Sequence, residues 1–146
     1  MRLLEVMELP NGLKLEFWDE SRAIAGDRWY VGLRAILAVG IPRQTRDLRI
    51  QEEMDFLRQN LGPEACFQRL MERHFVPREE VRGVIEEMKR VFLENSCDYL
   101  SKPGLAERFL LKKAAELREK RRWGPDYLQD ALEKLRRPYP ARQEVN

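Results

Sequence analysis

The chain has 146 residues, of which 43% are hydrophobic and 36% are charged, and its formal net charge is +2 at pH 7. This length and apolar content predict one domain that buries a core without disulfides or a metal ion. The small net charge provides no overall attraction to nucleic acid or anionic lipid. No window approaches a run of roughly 18 uncharged apolar residues, so we expect no membrane span.

The two cysteines predict a reducing, cytoplasmic setting. Cys66 and Cys97 lie 31 residues apart and form neither a CxxC pair nor a disulfide framework. The N-terminal residues carry charges every few positions and lack the apolar stretch of a signal peptide. We therefore expect a cytoplasmic protein with two reduced thiols, both buried as small apolar groups.

The chain begins with a predicted β-hairpin. Strands over residues 3–9 and 13–18 flank Asn11-Gly12, and Asn-Gly is a strong signal for a tight turn between antiparallel strands. Two registers fit this segment. They differ in the pair placed side by side: Val6 with Phe17 for a two-residue loop, or Met7 with Leu15 for a three-residue loop.

The third predicted strand covers residues 29–39 and completes an antiparallel meander. Its residues alternate between two faces. One face carries Trp29, Val31, Leu33, Ala35, Leu37 and Val39, and the other carries Tyr30, Gly32, Arg34, Ile36 and Ala38.

The remainder of the chain predicts helices. Apolar stripes and Gly-Pro or Pro signals place them at residues 45–61, 63–75 and 77–100, with a pair of helices within 103–137. The predicted fold class is α+β, with a three-stranded meander followed by about five helices packed on one sheet face. Residues 1–102 form the expected core.

The end of the chain leaves one alternative open. The helices of residues 103–137 follow a strong break at Lys102-Pro103-Gly104, so they either pack on the core or project as an arm. Residues 138–146 have two prolines and no periodicity, which predicts a frayed tail.

The segment WDESRAIAGDRWYV, residues 18–31, is the first candidate site. If Phe17 faces Trp29, then Trp18 lies opposite Arg28 on the outer side of the sheet. Trp and Arg are frequent hot spots of protein interfaces. The predicted protein-binding residues are Trp18, Arg22, Arg28, Tyr30 and Arg34. The alternative is that residues 19–27 only connect two strands.

Catalytic and metal-binding patterns are missing from the sequence. His74 is the single histidine, and Cys66 lies about 12 Å before it along the same predicted helix, too far for a nucleophilic pair. We expect His74 to be partly buried on an apolar stripe. No dinucleotide, P-loop, serine-hydrolase or zincin motif occurs, and neither a cofactor nor a metal is predicted.

The segment LREKRRWG is the second candidate site, because phosphate binding requires several cations on one surface and a tryptophan can stack on a base. The predicted nucleic-acid-binding residues are Lys112, Lys113, Arg118, Lys120, Arg121, Arg122 and Trp123. The alternative is a solvated helix end, since Glu107, Glu116 and Glu119 interleave with these cations.

The sequence does not determine the function. The interpretation that fits these observations best is a non-enzymatic protein-interaction or regulatory module that binds another protein or forms a homodimer. Nucleic-acid binding through the C-terminal helices is the first alternative. A small enzyme of unidentified chemistry is the second, because active sites can be assembled from residues far apart in sequence.

Overall fold

The computed structural model describes residues 1–139 and has an α+β fold. Its elements in chain order are β1 (Arg2–Glu8), β2 (Lys14–Asp19), β3 (Arg22–Ala25), β4 (Arg28–Gly40), α1 (Leu48–Leu61), β5 (Glu64–Pro77), a 3-10 turn (Arg78–Glu80), α2 (Val81–Leu100), α3 (Leu105–Trp123) and α4 (Pro125–Glu133). The frayed tail predicted for 138–146 falls mainly on residues 140–146, outside the described part.

The chain divides into two compact units, each built from two separate segments. The first contains Met1–Leu37 and Gln68–Leu105, and the second contains Ala38–Phe67 and residues 106–139. Strands β4 and β5 each contribute residues to both units. No helix of residues 1–139 combines the length and apolarity needed to cross a membrane.

The three predicted strands are confirmed as β1, β2 and β4, and the first hairpin takes the three-residue loop. Met7 pairs with Leu15, and the Leu9 N–H donates to the Leu13 carbonyl at 2.8 Å. Gly12 has φ 87°, a conformation that L-residues with side chains adopt only with strain. This choice of register places Leu15 and Phe17 on the buried side of the sheet.

An additional strand, β3, occupies the segment expected to be a connection. Positions 15–19 of β2 and 22–23 of β3 pair with β4 in one continuous register. Between them, the Glu20 N–H donates to the Gly32 carbonyl (2.8 Å), and the Gly32 N–H donates to Ser21 Oγ (3.2 Å). A side-chain hydroxyl thus takes the place of a backbone carbonyl in the ladder, and β2 and β3 are one interrupted strand.

The helix predicted for residues 63–75 is wrong, because this segment is strand β5. The prediction rested on Phe67, Leu70, Met71 and His74 at helical spacing, but these side chains also fit an alternating strand. The edge of β4 opposite β2 and β3 offers a ladder of unpaired backbone groups, and β5 pairs with it. The described residues therefore form five antiparallel strands and four α-helices, not three strands and five helices.

In the first unit, α2 covers the apolar face of the sheet. Phe92 contacts Phe17 edge-to-face, with ring centroids 5.8 Å apart, and Phe17 is fully buried. At the C-terminal end of this helix, the Asn11 side chain donates to the Leu100 carbonyl at 2.8 Å. The hairpin loop is thus tied to the helix that covers the sheet, and α2 runs unbroken through Asn95.

The second unit has its own core of helices. Its α1 begins at the N-cap Asp47, rather than near Thr45 as predicted, because the Asp47 carboxylate accepts the Arg49 N–H at 2.8 Å. Buried side chains of α1, α3 and α4 then pack with residues from the ends of β4 and β5. This cluster contains Val39, Ile41, Met54, Phe56, Leu57, Ala65, Leu110, Ala114, Leu117, Leu132 and Leu135.

Candidate functional site

Two of the five predicted protein-binding residues lie together in the middle of the sheet. Trp18 pairs with Arg34 across β2 and β4, so the predicted position of Trp18 opposite Arg28 is wrong. The cause is the continuous register of β2 and β3, which pairs Phe17 with Ala35 rather than with Trp29.

Trp18 and Arg34 have partners within their own unit. The Trp18 indole N–H donates to Glu16 at 2.9 Å, and Glu16 is buried, with 5% of its surface exposed. Arg34 donates to Glu20 at 3.1 Å and to Gln68 at 3.3 Å. These bonds satisfy charges that would otherwise be costly to remove from water, which indicates a structural role for both residues.

Arg22 and Tyr30 form a second group nearer the end of the sheet. The Arg22 guanidinium lies 4.7 Å from the centre of the Tyr30 ring, a distance suited to a cation–π contact. The Tyr30 hydroxyl donates to Glu72 at 2.7 Å, and the His74 ring lies 5.2 Å from the Tyr30 ring. Burial and the hydrogen bond to Glu72 raise the pKa of Tyr30 to about 12, because both disfavour the phenolate.

The Tyr30 ring lies against the backbone of Gly32. A Cβ atom at position 32 would come within 2.8 Å of the Tyr30 hydroxyl oxygen and 3.0 Å of a ring carbon. Only a residue without a side chain leaves room for this placement. Gly32 thereby determines where the phenol points.

Arg28 lies at the turn that joins β3 to β4. Gly26, with φ 58°, and Asp27 form a two-residue loop there, as the pairing of Ala25 with Arg28 shows. Arg28 is 3.8 Å from the Asp27 carboxylate, and both side chains are largely exposed. An exposed ion pair at this distance contributes little to stability, so the guanidinium is available to a partner.

Two exposed apolar side chains flank this end of β4, and neither is predicted from the sequence as a site residue. Ile24 is the extra residue where the β3 register shifts between Ala23 and Ala25, and 45% of its surface is exposed. On the other edge of β4, Phe75 of β5 is 71% exposed. We call Arg22, Ile24, Arg28, Tyr30, His74 and Phe75 the sheet end.

Phe75 also lies at an irregularity of its strand. Its φ is 59°, the only positive φ among the non-glycine residues described. Tyr30 contacts Glu72, whereas the Arg78 N–H donates to the Asp27 carbonyl at 2.9 Å. Phe75 thus lies between two contacts that join this segment to Tyr30 and Asp27.

The basic residues of the second candidate site do not form one surface. Arg118 donates to Glu53 at 3.0 Å and lies 4.2 Å from the Phe56 ring centre, and Lys113 donates to Glu116 at 3.0 Å. Lys120 lies 4.0 Å from the Trp123 ring centre. At about 100° per residue along α3, the exposed Lys112, Arg121 and Arg122 point in three different directions.

The structure places the single histidine and the two cysteines in separate environments. His74 is exposed rather than partly buried, because it lies on a strand and not on a helix stripe. Cys66 is buried, but Cys97 is only half-buried and contacts Ser101 at 3.7 Å. Within residues 1–139, no three His, Cys, Asp or Glu side chains gather in a way that could hold a metal ion.

The chain matches no protein-family model, no curated protein and no solved structure.

Proposed function

We propose that this protein is a non-enzymatic interaction module that binds another protein through the sheet end. The observation that carries the proposal is Phe75, a bulky residue that combines a left-handed backbone with a largely exposed aromatic ring. A side chain in this conformation costs on the order of 1–3 kcal/mol. An exposed ring recovers little of that energy in the free protein, whereas burial against a partner would recover it.

The second exposed apolar side chain supports the same surface. Ile24 lies at a bulge of β3 and Phe75 at a left-handed residue of β5, on opposite edges of β4, and such backbone irregularities are common near functional sites. Arg22 and Arg28 lie beside Ile24 on the β3–β4 hairpin. An aromatic anchor with arginines around it is the usual composition of an interface hot spot.

The charges of this region favour an acidic partner over a second copy of the chain. Residues 22–28 and 72–75 contain three arginines and two carboxylates, and one carboxylate, Glu72, already accepts the Tyr30 hydroxyl. In a two-fold homodimer the same patch faces itself, so the net positive charge of one copy would oppose that of the other. A different protein with an apolar pocket and an acidic rim complements this surface.

Photo-crosslinking tests the proposal. The full chain would carry p-benzoylphenylalanine in place of Phe75, with the same substitution at Val91, an exposed apolar position on α2, as the control. In lysate from the source cells, the variant at 75 should give a discrete adduct with an acidic protein. Unlabelled wild-type protein should compete the adduct away, and Phe75→Ala should not.

The purified partner then allows the affinity to be measured. Phe75→Ala should weaken binding at least tenfold, and Arg28→Gln should weaken it further and reduce its salt dependence. Equal adducts from positions 75 and 91, or an adduct with a second copy of this chain, would overturn the proposal.

A further inference from the structure

A groove on the helix-covered side of the sheet has a different chemical character from the sheet end. It has a volume of about 470 Å³ and lies where β1, the β2–β3 junction and the start of α2 meet. This volume lies within the range typical of small-molecule sites. None of its lining residues belongs to the sheet end, so binding in the groove does not depend on the proposed protein-binding function.

Three arginines line the groove, and two of them form no ion pair with a carboxylate of residues 1–139. Arg2 lies 3.8 Å from Asp19, and the Asp19 carboxylate also accepts the Ser21 N–H at 2.8 Å. Arg78 and Arg82 line the same groove, and no carboxylate among residues 1–139 forms an ion pair with either of them. Two uncompensated positive charges therefore face one cavity.

The spacing of Arg78 and Arg82 makes this arrangement unfavourable in the empty protein. Arg78 belongs to the 3-10 turn and Arg82 to the first turn of α2, and two like charges that line one groove repel each other. Glu86, which is four residues after Arg82, lies instead 3.8 Å from Lys89. A bound dianion would relieve the repulsion and accept a fork of hydrogen bonds from each guanidinium.

The floor of the groove is apolar. Val81 and Ile85, from the first turns of α2, line it together with Trp29 of β4, and Ile85 is buried. Trp29 is half-buried and therefore keeps part of its ring accessible. A ligand that fills this groove presents an apolar or ring-shaped part to the floor and its anionic group to the arginines.

We propose that this groove binds a small phosphate monoester whose organic part is a ring or another compact apolar group. The two charges of the phosphate match the two unpartnered arginines, and a monocarboxylate would neutralise only one of them. Inorganic phosphate would pair with the arginines but would make no apolar contact with Trp29 at the floor of the groove.

Titration calorimetry with the full chain at constant ionic strength tests this. The probes are phenyl phosphate, inorganic phosphate and benzoate, which separate the contribution of the ring from that of the dianion. Phenyl phosphate should bind at least tenfold more tightly than either of the others. Equal affinity for phenyl phosphate and phosphate, or for phenyl phosphate and benzoate, would overturn the proposal, as would the absence of binding.

A pair of matched variants locates the site. Arg78→Gln/Arg82→Gln should weaken phenyl phosphate binding at least tenfold. The control, Arg90→Gln/Arg121→Gln, removes the same charge from exposed positions outside the groove and should bind as the wild type does. If both double variants lost the same affinity for phenyl phosphate, the effect would come from net charge alone and would contradict the assignment of the site to this groove. Circular dichroism of each variant establishes that it is folded.

Discussion

Two phenylalanines of the first unit have opposite relations to the fold. Phe17 is fully buried and contacts Phe92, whereas Phe75 is 71% exposed and its backbone is left-handed. A phenylalanine side chain stabilises the fold at position 17, whereas at position 75 the backbone is strained and the ring is exposed. The difference teaches that an apolar residue has to be interpreted through its backbone conformation and its neighbours, because residue type alone does not reveal which role it has.

The largest expected effect is at the buried phenylalanine. Phe17→Ala should lower the free energy of unfolding by roughly 3–5 kcal/mol, because it removes a fully buried ring and leaves a cavity. Chemical denaturation measures this directly. A loss below about 1 kcal/mol would mean that the sheet and α2 are not packed around this ring.

The free energy of unfolding should depend on pH through the ionisation of Tyr30. Its pKa of about 12 is above the ordinary 10, so the neutral phenol stabilises the folded state. That stability is fully present below pH 10 and is lost as the pH rises through 12. The absorbance of tyrosinate should show a phase that titrates near pH 12, and Tyr30→Phe should remove that phase.

At the exposed phenylalanine the expected change has the opposite sign. Phe75→Gly should raise the free energy of unfolding by about 0.5–1 kcal/mol, because glycine adopts φ 59° without strain. Phe75→Ala retains a Cβ and should remain close to the wild type. If the glycine variant were the less stable of the two, the ring would be packing against its own protein.

The smallest expected effect concerns an arginine that has partners. Arg118 is paired with Glu53 and stacked on Phe56, but both charged side chains are partly exposed. A double-mutant cycle with Arg118→Gln and Glu53→Gln should give a coupling of about 0.5 kcal/mol.

Arg82→Gln should leave the free energy of unfolding unchanged or raise it slightly. A clear decrease in chemical denaturation would mean that Arg82 has a partner in the free protein.

The sequence predicts the parts of this fold that depend on local patterns. The meander strands, α1, α2 and both C-terminal helices follow from alternation, apolar stripes and Gly-Pro signals. Strand β5 could not be distinguished from a helix, because Phe67, Leu70 and Met71 fit both periods and only the free edge of β4 decides between them.

The candidate site was predicted less completely. The sequence predicts Arg22, Arg28 and Tyr30 but not Ile24 and Phe75, because the register shift at Ile24 and the left-handed backbone at Phe75 have no local sequence pattern. One signal was present in the sequence. Gly26-Asp27 is a two-residue hairpin turn, and recognising it would have shown that residues 22–25 pair with β4.

The close packing of Tyr30 on Gly32 has a consequence for the evolution of this chain. An alanine at position 32 would displace the phenol from Glu72, and a small residue at position 30 would make glycine unnecessary at 32. A substitution at either position alone would therefore lose the hydrogen bond between Tyr30 and Glu72. In divergent relatives, glycine at 32 and an aromatic residue at 30 should therefore be inherited, or replaced, as a pair.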